Sequence, residues 1–353
     1  MNKIAVFCVG TGGHVLPAKN IIMQLNEEGI KLENFIVITD KRGSQYLKDL
    51  NIKIYIQDIY RSKIGIIGYI LNFHKIIKTL IKTRSLIKKE KTKIILSTGS
   101  YIAPIASLLG LTMGIKYFGQ EQNIYAGLGN KLSSLLPGVI FTSYPETKNL
   151  LNNKGTYVGP VINKDIIKSN KSNKSNKSNK SNKSNKTNLT IGIQGGSQGS
   201  NEINKYVYKF LKRNDISHVD VLHITGKSNL NNMLDLDNYI QYDFIENMNT
   251  YYSKINLQIS RSGGGALEAA YLGIPQMLIP FKHGTTSSHQ ILNAEYLKSL
   301  GVAIIVNSYS EFEKNLLNII NNYKNSKEGI FKSVNIEIGN TQITKYLKEA
   351  FND

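Results

Sequence analysis

Short apolar runs recur along the chain, and each is followed by a turn rich in glycine or by apolar positions at helical spacing. The first run, Ile4 to Val9, leads into Gly10-Thr-Gly-Gly-His14 and then a helical pattern near Pro17 to Glu28. Further strand-like runs are Phe35 to Thr39, Ile52 to Ile56, Lys93 to Ser97, Ile115 to Gly119 and Gly138 to Thr142. A second series opens with Leu189-Thr-Ile-Gly-Ile-Gln-Gly-Gly-Ser-Gln-Gly199 and a helical pattern over Asn201 to Lys212. It continues through Asp220 to Thr225, Tyr239 to Phe244, Leu257 to Ser260, Gln276 to Pro280 and Ala303 to Val306. Strands alternating with helices predict parallel sheets, and the repeated opening predicts two doubly wound α/β domains facing each other. Ligands of such sheets bind at the carboxyl ends of the strands, so the chemistry is expected in a cleft between the domains. A length of 353 residues suits two domains.

From Ser169 to Asn188 the sequence repeats Lys-Ser-Asn with almost no apolar residue, which predicts a flexible spacer. The expected boundaries are thus a first domain over 1–163, a linker over 164–188 and a second domain from 189. The formal charge of +19 suggests an anionic partner, and it falls to +12 when the seven lysines of the repeat are left out. Aromatic and basic residues are not interleaved outside one segment, which argues against nucleic acid. That segment, Arg61 to Lys89, sets isoleucines, leucines and Phe73 among lysines. It suits either a helix lying on an anionic membrane surface or a core helix with a solvated basic face. The single cysteine, Cys8, sits in an apolar run, which excludes a disulfide framework. No apolar run approaches the roughly 18 residues of a spanning helix, and no signal segment is recognisable at the start. The expectation is a protein of the cytoplasm.

Glycine turns after strands let backbone amides approach phosphate. Neither turn has the G-x-G-x-x-G spacing, and only Asp40 follows the second strand as an acid, so a nicotinamide enzyme is a minor reading. A denser constellation is Ser260-Arg-Ser-Gly-Gly-Gly-Ala-Leu-Glu268, followed by His289-Gln-Ile-Leu-Asn-Ala294. There the amides suit a diphosphate and Glu268 suits ribose hydroxyls, or else Glu268 is a simple helix-start charge. His14 could take a hydroxyl proton near neutral pH, or could cap and pack its turn. Asp235-Leu-Asp237 has the look of a cation-binding aspartate pair, but its asparagine-rich surroundings favour a solvated loop.

These residues resemble the peptidoglycan glycosyltransferase family that adds N-acetylglucosamine to lipid I, undecaprenyl-pyrophosphoryl-N-acetylmuramoyl-pentapeptide, giving lipid II. The motifs are Gly10-Thr-Gly-Gly-His-Val-Leu-Pro-Ala18, Gly99-Ser-Tyr101 with Pro104, and Glu121-Gln-Asn123 with Ala126-Gly-Leu and Asn130-Lys131. They continue with Gly195-Gly-Ser-Gln-Gly199, His223 with Gly226-Lys227, Phe244-Ile245 and Gln290 with Asn293-Ala294. The resemblance implies two Rossmann-like domains in the GT-B glycosyltransferase arrangement, the acceptor and membrane on the first, the UDP-sugar on the second over 189–340. It implies a terminal helix over 341–353 returning to the first domain. It assigns UDP-N-acetylglucosamine to Ser197, Ile245, Ala266, Leu267, Glu268 and Gln290, with Thr11, Gly12, Gly13 and Asn123 approaching from the other domain. His14 becomes the candidate base, and Tyr101 and Glu121 belong to the acceptor region and are counted with it as catalytic. Donor and lipid I are the substrates, the reaction inverts the anomeric centre, and no metal or other cofactor is called for. The resemblance favours membrane docking for 61–89 and a place at the cytoplasmic face of the inner membrane. The sequence departs from the family in having Gln120 where a histidine is usual, Asn163 in place of an arginine, and one residue fewer between Ser262 and Glu268. A diacylglycerol glycosyltransferase of the same fold, or a weakly catalytic membrane-binding relative, stays open.

Overall fold

The computed structural model describes residues 2–60, 62, 67–68, 71–152, 155–170, 189–226, 234–282, 287–324, 331–332, 334 and 336–353. The chain divides into two compact units, Met1–Lys164 with Glu337–Asp353, and Asp165–Ile336. Both are Rossmann-like α/β domains.

The first unit holds a seven-stranded sheet of β1 (Lys3–Phe7), β2 (Phe35–Thr39), β3 (Lys53–Ile56), β4 (Thr92–Ser97), β5 (Lys116–Glu121), β6 (Val139–Thr142) and β7 (Gly155–Tyr157). Its order is β3-β2-β1-β4-β5-β6-β7, and every neighbouring pair is parallel. The second unit holds β8 (Leu189–Gln194), β9 (Val219–Ile224), β10 (Tyr239–Tyr242), β11 (Leu257–Ser260), β12 (Gln276–Leu278) and β13 (Ala303–Ile305) in the order β10-β9-β8-β11-β12-β13, again parallel. Strand order reverses between β1 and β4 in one sheet and between β8 and β11 in the other. Loops leaving two such strands run to opposite faces and open a crevice between them. The glycine turns follow β1 and β8, so both lie at a reversal point.

Central strands are apolar throughout because helices cover both faces: β2 is buried at every position, and the even and odd residues of β1 enter two different apolar clusters. Helix Gly12–Glu27 begins earlier than the expected start at Pro17. Pro17 lies inside the helix, beyond its first turn, and removes the bond that the Gly13 carbonyl would accept. Strand β7 was not expected, since three residues carry no periodicity.

Residues 164–170, assigned to the linker, are helical, with Ile166 and Ile167 buried and Ser169 Oγ donating to Asn249 Oδ1 at 2.6 Å. The apolar pair belongs to the second unit's packing, and the repeat over 171–188 lies outside the described residues. Helix Asn340–Asn352 packs in the first unit. Ile343 and Leu347 are fully buried there, Thr344 Oγ1 donates to Glu28 Oε1 at 2.8 Å, and the Ile162 amide donates to Asn340 Oδ1 at 2.9 Å.

The basic apolar segment is split. Within helix Phe73–Lys89, Ile76, Leu80, Leu86 and Ile87 pack into the first unit's core, whereas Phe73 and Ile81, like Ile67 and Leu71 ahead of the helix, are exposed. Residues 61, 63–66 and 69–70 lie outside the described residues. Among those described, no helix is long and apolar enough to cross a membrane.

Candidate active site

In the first unit the turn after β1 leaves the sheet at Gly10, whose φ of 93° is a region that side chains avoid, and enters the helix at Thr11. No side chain caps that helix. Thr11 and Gly13 are exposed, Gly12 is buried, and His14 is half-buried in the first turn. The loop after β4 runs beside it. His14 Nδ1 lies 2.9 Å from the Thr98 carbonyl, and Thr98 Oγ1 donates to the His14 carbonyl at 2.6 Å. A carbonyl only accepts, so Nδ1 carries the proton and the neutral ring holds its lone pair at Nε2. Gly99 beside it holds φ 88°, a region that side chains avoid, and a Cβ there would crowd Asn130 Nδ2 at 3.0 Å.

Glu121 ends β5 almost fully buried. Oε1 accepts from the Asn123 amide at 2.9 Å and from Asn123 Nδ2 at 3.0 Å; Oε2 accepts from the Gly127 amide at 3.0 Å and from Asn130 Nδ2 at 2.9 Å. Four donors fill the carboxylate's acceptor sites, so this expected catalytic residue is built as the anchor of the 123–130 loop. Gly129 fits there because a Cβ would overlap the Ser100 carbonyl. The Tyr101 hydroxyl donates to Asp40 Oδ2 at 2.9 Å. Burial, and then the Asp40 carboxylate, push its pKa up to about 12, so it keeps its proton and cannot serve as a base at neutral pH. Gln120 is buried in β5 and its Nε2 donates to Ser143 Oγ at 3.2 Å.

In the second unit a cavity of about 670 Å³ lies beside the turn after β8, within the usual range for small-molecule sites. Gly195, Ser200, Glu202, Arg261, Phe281 and Gln290 are among its lining. Gly199, at φ 76°, is required where a Cβ would overlap the Thr225 carbonyl. Ser200 then caps helix Asn201–Leu211 by accepting from the Ile203 amide. Arg261, for which the sequence suggested no role, ties the walls together. It donates to Ser200 Oγ and to the Ile279 carbonyl, both at 2.8 Å, pairs with Glu202 at 2.8 Å, and stacks over Phe281 at 5.4 Å. Gln290 Oε1 accepts from the Phe281 amide at 3.0 Å, which leaves its Nε2 as the group it can offer a ligand.

Glu268 lies on helix Gly264–Tyr271 after β11, partly buried, and accepts from the Tyr252 hydroxyl at 2.9 Å. Burial raises its pKa to about 7, against the pull of that bond. Tyr252 in turn accepts from Gln194 Nε2 at 3.2 Å, and Gln194 also donates to Gln258 Oε1 at 2.9 Å, a buried polar chain beneath the helix start. Ala266 and Leu267 are buried on the same helix, Ser197 is exposed in the glycine turn, and Ile245 is half-buried after β10. Asp235 and Asp237 are exposed before β10. Lys227 lies outside the described residues. His223 is fully buried between Tyr239 and Asn204, and burial lowers its pKa to about 3, so it is a neutral part of the core.

The glycosyltransferase family 28 N-terminal domain matches residues 4–141, and the glycosyltransferase family 28 C-terminal domain matches residues 190–339. A UDP-N-acetylglucosamine–N-acetylmuramyl-(pentapeptide) pyrophosphoryl-undecaprenol N-acetylglucosamine transferase of Borrelia garinii is 30% identical, over 99% of this chain and 97% of its own. The transferase of the same name from Clostridium novyi is 28% identical, over 98% of each chain. Among solved structures, Acinetobacter baumannii MurG superposes with a TM-score of 0.73 at 21% identity, covering 99% of this chain and all of that one, which supports the fold. Matched in both domains and aligned end to end with these transferases, the chain belongs to their branch of glycosyltransferase family 28.

Proposed function

We propose that this protein transfers N-acetylglucosamine from UDP-N-acetylglucosamine to the muramoyl sugar of lipid I, inverting the anomeric centre and giving lipid II. The observation that carries the mechanism is the His14 imidazole, whose Nδ1 is held by the Thr98 carbonyl so that Nε2 is the basic nitrogen. In the reaction the acceptor hydroxyl oxygen forms a bond to the anomeric carbon, its proton passes to Nε2, and the carbon–oxygen bond to the diphosphate breaks. UDP leaves with that electron pair. Backbone amides of the glycine turn after β8, together with the start of helix Asn201–Leu211, supply the positive potential for the departing diphosphate. Glu268 accepts from the ribose and Gln290 Nε2 donates to the sugar. Ser197, Ile245, Ala266 and Leu267 complete the donor site, and Thr11, Gly12, Gly13 and Asn123 face the substrates from the first unit.

The lipid acceptor brings the protein to the cytoplasmic face of the inner membrane as a peripheral protein. Exposed Ile67, Leu71, Phe73 and Ile81 beside Lys75, Lys78 and Lys82 are the surface that meets the anionic leaflet. The test is transfer of radiolabelled sugar from UDP-N-acetylglucosamine to a lipid I analogue. Labelled product supports the reading. Labelling of diacylglycerol alone, or of neither acceptor, overturns it.

A further inference from the structure

Asp40 follows β2, the strand beside β1, and its carboxylate is fully engaged by the chain itself. Oδ1 accepts from the Gly10 amide at 2.9 Å and from the Gly43 amide at 2.8 Å; Oδ2 accepts from the Tyr101 hydroxyl at 2.9 Å, with the Arg42 guanidinium at 3.3 Å. Such an arrangement leaves no oxygen for the ribose that a dinucleotide fold would present. It joins instead the carboxyl ends of three adjacent strands. Gly10 begins the turn that carries His14, and Tyr101 follows Gly99 and Ser100, which both hold positive φ, at 88° and 65°. The two turns also meet through Thr98, which bonds His14 by its carbonyl and its hydroxyl, and the shared Asp40 carboxylate adds a second tie between them, through Gly10 and Tyr101.

We propose that Asp40 is a positioning residue for sugar transfer, holding the His14 turn and the Tyr101 turn in the mutual placement that the acceptor sugar requires. The role rests on the reading under Proposed function. It concerns the acceptor because every partner of Asp40 lies in the first unit, whereas the donor cavity is lined by residues of the second. Burial pushes the Asp40 carboxyl up, but the Gly10 and Gly43 amides and the Tyr101 hydroxyl outweigh it and hold it below the usual range. The link therefore persists as a charged bond throughout the neutral range, and Tyr101 stays a donor to it.

The experiment compares full-length wild type, Asp40→Asn, Tyr101→Phe and the double variant, varying lipid I analogue and UDP-N-acetylglucosamine separately, with UDP affinity measured by calorimetry and folding by thermal melting. Asparagine keeps an acceptor for the amides but turns a donor toward Tyr101 and Arg42. The expected result is a loss of about 10- to 100-fold in kcat/KM for the acceptor with UDP affinity within about twofold of wild type. The double variant should lose no more than Asp40→Asn alone, since both break one bond. Acceptor kinetics within about twofold of wild type, equal losses for acceptor and UDP, or additive losses in the double variant would each overturn the role. If Asp40→Asn does not fold, Asp40→Ser, which keeps an acceptor for the Gly10 amide, takes its place with the same expectation. Wild type that transfers nothing to the lipid I analogue overturns the functional reading and this role with it, a result distinct from active wild type with active variants.

Discussion

Replacing Glu268 by glutamine should make the second unit more stable at alkaline pH while weakening its hold on UDP. Burial raises the Glu268 carboxyl from its ordinary 4.5 to about 7. At ~1.36 kcal/mol for each tenfold change, the ionised form costs the fold ~3 kcal/mol. The folded protein keeps this proton up to about pH 7, and the unfolded chain releases it near pH 4.5. Between those values the native state binds more protons, so this group's contribution to stability falls as pH rises and then levels off. Glutamine cannot ionise, yet its Oε1 can still accept from Tyr252. Urea unfolding of both proteins from pH 5 to pH 8, following the second unit, isolates the effect because other titrating groups cancel in the difference. One of them, His223, acts in the opposite sense. Its buried neutral ring stabilises the fold above pH 6.5, and that contribution is lost as pH falls toward about 3. The advantage of Glu268→Gln over wild type should grow by about 2 to 3 kcal/mol between pH 5 and pH 8. A change under about 0.5 kcal/mol over that range would refute the reasoning, since it would mean that Glu268 ionises as an exposed carboxylate does.

Wild-type affinity for UDP should rise more steeply from pH 6 to pH 8 than that of Glu268→Gln by calorimetry, as Glu268 becomes a pure acceptor for ribose hydroxyls while the terminal phosphate of UDP titrates alike with both proteins. His14→Ala should lower kcat by about 10²- to 10⁴-fold while leaving UDP affinity unchanged, which steady-state transfer and calorimetry together would check. Glu121→Gln replaces two acceptor sites by donors that face donors, and should cost the first unit about 3 kcal/mol in urea unfolding. Sugar transfer should persist in excess EDTA, because the mechanism stabilises the departing diphosphate with backbone amides; loss restored by magnesium would contradict it.

Much of the architecture was legible because buried parallel strands are apolar runs and each domain opens with the same strand, glycine turn and helix. The runs at Phe35–Thr39 and Leu257–Ser260 became strands with the expected bounds. Glycine turns after β1 and β8 located the reversal points of both sheets, and other glycines of the motifs mark close approaches of backbone, where Gly129 meets Ser100 and Gly199 meets Thr225. Partners that act through the backbone left no trace in the sequence: the Thr98 carbonyl that sets the His14 tautomer could be any residue's. Tyr252 lies sixteen residues before Glu268, outside any local spacing. The anchoring of Glu121 was not legible either, because a motif records that a carboxylate is needed and not that four donors surround it. Helical periodicity over 61–89 gave one apolar face, but only the fold could divide it between Leu80, against the core, and Ile81, in solvent.

The return of helix Asn340–Asn352 to the first unit has a consequence for the order in which the chain can fold during synthesis. The second unit is continuous, from Asp165 to Ile336, and can complete its sheet as soon as it clears the ribosome. The first unit begins earlier but finishes later. Its apolar cluster stays open where Ile343, Leu347 and Ala350 will lie until those residues are made, so the first unit is sealed only after the whole of the second has been synthesised. Chains stopped short of residue 340 would thus carry a finished second unit beside an unfinished first one, a difference that limited proteolysis of truncated products would reveal.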